Sequence, residues 1–333
     1  MFLPHTITLL FTAFIIYQSI NNNFKVGDIT YYISIMGQLT AATFAVIAQV
    51  STTIKSQKKI EYYKDFLMWE EAECLENNIE ITDIDEIRFE SVYFKYPGND
   101  EYALKDVSLC IRKGEKIAFI GKNGSGKSTI VKLILGLYTP TKGTIYINGI
   151  DIRKININCI YNLSNVMFQD YINYSFSLRE NLESVDIGTD YTDDELYSAC
   201  KKGNSYNFVQ SWKNGLDTYL TRSFDMGGQE LSGGQWQRLS LSRTFVKEAT
   251  LFIYDEPVAS LDIEAENLLY KELIYNHKNS TLLLISHRMS YMKNMDKIIV
   301  MDSGRIIENG DHNQLLRQDG IYADLYNLKI EGE

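Results

Sequence analysis

Cysteine is scarce in this 333-residue chain, and its four residues are scattered. Cys74, Cys110, Cys159 and Cys200 form no CxxC pair and no tight framework, which excludes a zinc site and a disulfide scaffold and leaves reduced, structural thiols. Positive charge is also in deficit. With 33 Lys and Arg against 43 Asp and Glu, the formal charge is -10, the wrong sign for a protein that must present a basic face to nucleic acid. Hydrophobic residues are not lacking: at 45% they are enough for a packed core, and the length suits two domains.

The most informative absence is local. Phe2 to Ile20 contains no Lys, Arg, Asp or Glu, and neither does Ile29 to Ile54. As helices these runs would extend roughly 28 and 39 Å, against about 30 Å of bilayer hydrocarbon, so both are candidate membrane spans. A secretory leader is disfavoured, because MFLPHT has no basic start and QSINNNF no small-residue cleavage site. Lys55, Lys58, Lys59 and Lys64 follow the second run, whereas NNNFKVGD between the runs has one Lys and one Asp. That asymmetry predicts a multi-pass protein of the cell membrane, in contact with its lipid, with everything after Lys55 on the cytoplasmic side. From Glu61 to Glu86 acids dominate, and this stretch reads as an exit helix followed by a linker.

From Ile87 the pattern changes to short β-rich runs, IRFESVYFKY, DVSLCI and KIAFI. The last feeds GKNGSGKS, a GxxxxGK[ST] loop, and the apolar helix TIVKLILGL follows, giving the strand, loop and helix that phosphate binding requires. Gly121, Gly124 and Gly126 let the backbone N–H groups of Lys122, Asn123 and Ser125 turn inward on phosphate oxygens, and the helix start at Lys127 to Thr129 adds a positive partial charge. Lys127 would reach the terminal phosphates as a point charge, and Ser128 would offer its hydroxyl to Mg²⁺. Further on, TLFIYDEP reads as a buried strand ending in two carboxylates, Asp255 to orient the magnesium shell and Glu256 to activate water as general base. In ELSGGQWQR a third element, Ser232, Gly233 and Gly234, opens an amphipathic helix and makes a second anion-binding helix start.

In this order and spacing the residues resemble the ATP-binding cassette ATPases, over essentially all of residues 87–330, with LSGGQ, ending in Gln235, as that family's signature. The resemblance implies an α/β P-loop cassette with a helical lobe over about residues 170–245, and ATP and Mg²⁺ as its ligands. It also assigns roles residue by residue. Tyr96 in YFKYPG is similar to the aromatic that stacks on adenine. Gln169 in VMFQD is similar to the Q-loop residue beside the magnesium and the reacting phosphate. Asp262 in ASLD is similar to the D-loop acid, and His287 in TLLLISH to the switch histidine on the γ phosphate. Two such cassettes pair head to tail, so the implied partner is a second cassette, identical or not, with Ser232 of one chain closing on ATP held by Lys127 of the other.

Two membrane helices before a cassette resemble the C-terminal part of an exporter-type half-transporter. Residues 1–60 are then a partial membrane domain with helices near 2–20 and 29–54, residues 61–86 an exit helix and linker, and residues 87–330 the nucleotide-binding domain. A half-transporter of this type has six helices, which implies a further partner carrying the other four. Tyr254, where an aliphatic residue usually precedes the strand-end acid, and FDMGGQE, a loose match to the exporters' coupling segment, depart from the family pattern. The leading expectation is an ATP-hydrolysing exporter subunit. A second is a truncated, membrane-tethered cassette acting as an interaction or regulatory module without transport. An ATPase acting on DNA or ribosomes is disfavoured by the apolar start, the acidic balance and the lack of a long coiled coil.

Overall fold

In the computed structural model the described residues are 3–22, 26–67, 79–223, 225–257, 270, 273–289 and 291–330. The chain divides into two compact units, Met1–Cys74 and Leu75–Glu333.

The first unit contains two helices, α1 (Leu3–Asn22) and α2 (Val26–Leu67). Leu39, Val46, Ile47 and Val50 of α2 remain exposed, so among the described residues nothing covers this part of its apolar surface. Its polar side chains are turned inward instead: Thr40, Thr43, Thr52 and Thr53 each donate to the carbonyl four residues earlier, at 2.7–2.9 Å. A hydroxyl so occupied does not need water, which suits a helix in an apolar solvent. Among the described residues one helix, Gly27–Leu67, is long and apolar enough to cross a membrane; the apolar stretch of α1, Leu9–Ser19, is shorter. The lysine cluster does not end α2. Residues 55–67 hold no Gly or Pro, so the helix continues through them for 42 residues in all, about 63 Å.

The second unit is built on two sheets. Its elements are β1 (Glu86–Phe94), β2 (Leu104–Arg112), β3 (Lys116–Gly121), α3 (Lys127–Ile134), β4 (Lys142–Ile147), β5 (Ile150–Asp151), α4 (Ile157–Leu163), β6 (Ser164–Met167), α5 (Leu178–Glu183), α6 (Asp193–Lys202), α7 (Tyr206–Val209), α8 (Gly233–Arg243), β7 (Leu251–Asp255), β8 (Thr281–Ile285), β9 (Lys297–Asp302), β10 (Arg305–Gly310), α9 (His312–Gln318) and α10 (Ile321–Ile330). An antiparallel sheet runs β2-β1-β4-β5, and a six-stranded sheet runs β10-β9-β3-β8-β7-β6. In the larger sheet β9, β3, β8, β7 and β6 are parallel, and only β10 pairs antiparallel. The strands β7 and β8 are buried at every position, as expected for parallel strands covered on both faces, and their sequences LFIYD and TLLLI carry that burden of apolar residues.

One core joins the sheets: Ile87 and Phe89 of β1 and Ile111 of β2 pack with Ile117 and Phe119 of β3, Ile130 and Leu133 of α3, and Ile253 and Leu283. Ile81 and Ile84, ahead of β1, already belong to it. The helices α5 to α8 have a separate core, with Leu178, Leu182, Leu196, Cys200, Val209 and Leu239 buried together. Reciprocal side-chain caps start three of them, Ser177 with Glu180, Thr192 with Glu195, and Ser232 with Gln235. Among the described residues Cys110, Cys159 and Cys200 are free thiols; Cys74 lies outside them.

Candidate functional site

Parallel sheets collect function at the carboxyl ends of their strands, and four adjacent strands do so here. The strand β3 ends in Gly121 and the glycine loop, β7 in Asp255 and Glu256; β8 leads into His287 and β6 into Gln169. The strand order β3-β8-β7-β6 therefore brings together groups far apart in the chain.

The loop is shaped by two glycines that tolerate nothing larger. At Gly121, with φ +144°, a β-carbon would stand 2.1 Å from the Met301 carbonyl oxygen, and at Gly126, with φ +105°, 2.6 Å from Leu104 Cδ2. The loop is drawn in against β9 and β2 by these contacts and by the Gly304 N–H donating to the Ser125 carbonyl at 3.1 Å. Lys127 is buried and crosses the loop, its Nζ donating to the carbonyls of Gly121 at 2.9 Å and Lys122 at 3.0 Å. Burial lowers its pKa, while the charges of Glu256 and Asp255 act the other way.

A cleft of about 370 Å³ opens over this loop, lined by Tyr96, Ala103, Asn123, Gly124, Gly126, Lys127, Ser128, Thr129, Gln169, Asp255, Glu256 and Ile285. Tyr96 holds one wall, its hydroxyl 3.0 Å from Thr129 Oγ1, its ring edge-on to Phe94 and Tyr138, and Lys132 Nζ 5.4 Å from the ring centre. Ser128 and Asp255 line the cleft together. Burial pushes the Asp255 pKa up, Ser128 lowers it, and the Glu256 charge raises it again. A buried carboxylate beside a hydroxyl is an all-oxygen, hard donor set, which fits Mg²⁺ shared with phosphate and water. Among the described residues no cluster of three His, Cys, Asp or Glu forms a cage for a softer metal.

Glu256 is the meeting point. Its Oε1 lies 2.9 Å from His287 Nε2, and Gln169 Nε2 donates to its Oε2 at 3.4 Å. His287 Nε2 is also 3.0 Å from Asn123 Oδ1; both partners are oxygens, so Nε2 carries a proton. The Glu256 backbone is left-handed, φ 52°, at a cost of roughly 1–2 kcal/mol for a residue with a β-carbon. That turn directs the chain out of β7 while the Glu256 N–H donates to the Ile285 carbonyl at 2.9 Å.

Ser232 and Gly233 stand elsewhere. They are exposed at the start of α8, with Gly234 and Gln235 half-buried behind them, and none of the four lines the cleft. Ser232 Oγ accepts from the Gln235 N–H at 3.3 Å, and the Ser232 N–H donates to Gln235 Oε1 at 2.9 Å. Asp262 lies outside the described residues. Ala103 and Ile285 line the cleft without having been singled out by sequence, since a small residue ahead of β2 and an apolar residue at the end of the buried strand β8 carry no motif of their own. A second, more apolar cavity of about 410 Å³, bounded by Gly121, Lys122, His287, Met301, Ile321 and others, includes neither Lys127, Ser128, Asp255 nor Glu256; His287 lines this cavity and meets the phosphate cleft through its contacts with Glu256 and Asn123.

The comparisons with known proteins agree with this geometry. The ABC transporter family matches residues 104–259. The subtilin transport ATP-binding protein SpaT of Bacillus subtilis is 32% identical over 309 residues, 90% of this chain and 49% of that protein. Among solved structures, a bacterial Atm1-family ABC exporter with ATP bound superposes with a TM-score of 0.70 at 27% identity, covering 92% of this chain and 53% of that one. The chain spans about half the length of these relatives. A glycine loop, paired strand-end carboxylates and a signature helix on one doubly covered parallel sheet, together with these likenesses, place the chain in the ABC transporter family.

Proposed function

We propose that this chain is the ATP-binding and ATP-hydrolysing subunit of an ABC exporter. The convergence of Gln169 and His287 on Glu256, which lines the cleft together with Lys127, Ser128 and Asp255, carries this reading. The loop N–H groups and Lys127 bind the polyphosphate, and Tyr96 offers its ring to the base. Bound Mg²⁺, on Ser128 and Asp255 with Gln169 beside them, would neutralise charge on the terminal phosphates. Glu256 takes the proton of the water that attacks the γ phosphorus as the bond to the ADP oxygen breaks, Gln169 holds the Glu256 carboxylate in place, and the His287 Nε2–H, shared between Glu256 and Asn123 in this structure, is the donor available to turn to the γ-phosphate oxygens.

The exposed position of Ser232 and Gly233, outside their own chain's cleft, supports a site completed by the signature helix of a second cassette. The uncovered apolar surface of α2 and the lysines after it support a multi-pass position in the cell membrane, with residues 61–86 leading to a cytoplasmic cassette. The names of the relatives attach such cassettes to export, and by that likeness this cassette drives export through a membrane domain of which residues 1–60 form part; a protein carrying further helices is then its partner. The test is Mg-ATP turnover by the full chain in lipid nanodiscs. Hydrolysis that disappears in the Glu256→Gln chain supports the reading, and hydrolysis that survives it overturns the assignment of Glu256.

A further inference from the structure

A left-handed, β-carbon-bearing residue at a reaction centre persists only where its surroundings over-determine it. The surroundings of Glu256 are specific. One residue upstream of Asp255, Tyr254 is wholly buried, its hydroxyl 3.0 Å from Thr244 Oγ1 and 2.7 Å from His277 Nε2. Thr244 is the residue that ends α8, and its own hydroxyl donates to the Leu241 carbonyl at 2.7 Å. With that proton committed, Thr244 Oγ1 accepts from Tyr254, and the Tyr254 oxygen accepts from His277 Nε2. Each proton is used once along a line from His277 through Tyr254 and Thr244 to the last turn of α8.

On the other side of Glu256, the Pro257 carbonyl accepts a buried hydrogen bond from Gln237 Nε2 at 2.8 Å. Gln237 also belongs to α8, and it lies about two turns before Thr244, on the same helix face. A single helix therefore grips the chain two residues before and one residue after the strained carboxylate, while the Glu256 N–H is held from a third side by β8. The same helix begins at the exposed Ser232.

We propose that Tyr254 and Gln237 are positioning residues that hold Glu256 in its working conformation from the signature helix of the same chain. The inference rests on the reading of Glu256 as the catalytic carboxylate. It gives α8 a second role: contact made at Ser232 is felt at Glu256 within one chain, because the helix that starts there also carries the side chains bonded to Tyr254 and Pro257.

The test uses the full chain in lipid nanodiscs with Mg-ATP. Tyr254→Phe removes one hydroxyl at constant shape, and Gln237→Met removes the amide at similar volume. Each is expected to lower kcat about 3–10-fold and to leave KM within about twofold, since the nucleotide contacts are untouched. The deciding measurement is a double-mutant cycle on the residual rate. If Tyr254 acts through Glu256, Tyr254→Phe adds nothing in a Glu256→Gln background, whereas a general loss of structure multiplies. Amide exchange gives a readout independent of catalysis: both variants should speed exchange of the Glu256 amide and leave Lys116–Gly121 unchanged. Multiplying effects, a change confined to KM, or unaltered exchange at Glu256 would overturn the proposal. Should Glu256→Gln itself leave turnover intact, the catalytic assignment fails, and the exchange experiment alone decides whether α8 fixes this turn.

Discussion

Lys127 closes on its own loop, its ammonium shared between the carbonyls of Gly121 and Lys122 at 2.9 and 3.0 Å. The charge is thus held at the rim of the cleft before any phosphate meets it, and binding needs a short swing rather than the ordering of a free side chain. Replacing Lys127 with Ala removes a charge-assisted contact to phosphate, and such contacts contribute about 1.5–3 kcal/mol. Nucleotide affinity should fall about 10–100-fold, measured by equilibrium binding of a fluorescent ATP analogue to the full chain. Unchanged affinity would remove Lys127 from the phosphate site.

Glu256→Gln keeps the size of the side chain and one acceptor oxygen, but it turns the other oxygen, which accepts from Gln169 or His287, into an amide donor and removes the basicity. Turnover should drop by at least about 100-fold while ATP affinity stays within a few-fold. Binding and hydrolysis measured on the same preparation separate this outcome from the Lys127→Ala result.

If Ser232 serves the neighbouring chain, lesions can be sorted between sites. A mixed dimer with Lys127→Ala in one chain and Ser232→Arg in the other places both lesions in one composite site and leaves the second intact. Tandem-affinity purification of that dimer should recover activity that neither homodimer has. A mixed dimer as inactive as both would end the case for a shared site.

His277 supplies a pH dependence. It is buried between the rings of Phe245 and Phe252, at centroid distances of 5.2 and 3.8 Å, and burial, then the charges of Lys202 and Lys116, push its pKa down to about 3. The folded chain excludes a proton that the unfolded chain accepts near pH 6.5, so the stabilisation is complete above that value and is lost as pH falls toward 3. The slope is about 1.4 kcal/mol per pH unit for this one group. Denaturant midpoints at pH 7 and pH 5 should show it, and His277→Gln should flatten it. An equal slope in the variant would assign the acid sensitivity to other groups.

Much of this was legible locally. The stretch GKNGSGKS carries the turn and helix start of its own loop, and the short apolar runs TLFIYD and TLLLIS read as strands buried on both faces. What local pattern does not carry is the meeting of Gln169 with Glu256, 87 residues on, or of Asn123 with His287, 164 residues on; only strand order achieves these. Tyr254 departs from the family pattern in sequence because its partner, His277, lies 23 residues away in a turn ahead of β8. The sequence suggests an apolar span to Ile54 and a separate exit helix from Glu61, and the two are one continuous helix as far as Leu67, because Lys55 to Leu67 contain no Gly or Pro to break the hydrogen-bond ladder. Charge reports the solvent around a helix, not its end.

The left-handed turn at Glu256 has a further consequence for how the protein can be altered. Glycine or asparagine would relax that backbone, so the fold and the chemistry ask for different residues at one position. A library screened for heat tolerance alone would drift toward sturdier cassettes that no longer turn over. Activity here has to be selected directly, since thermal stability is a misleading proxy for it at this residue.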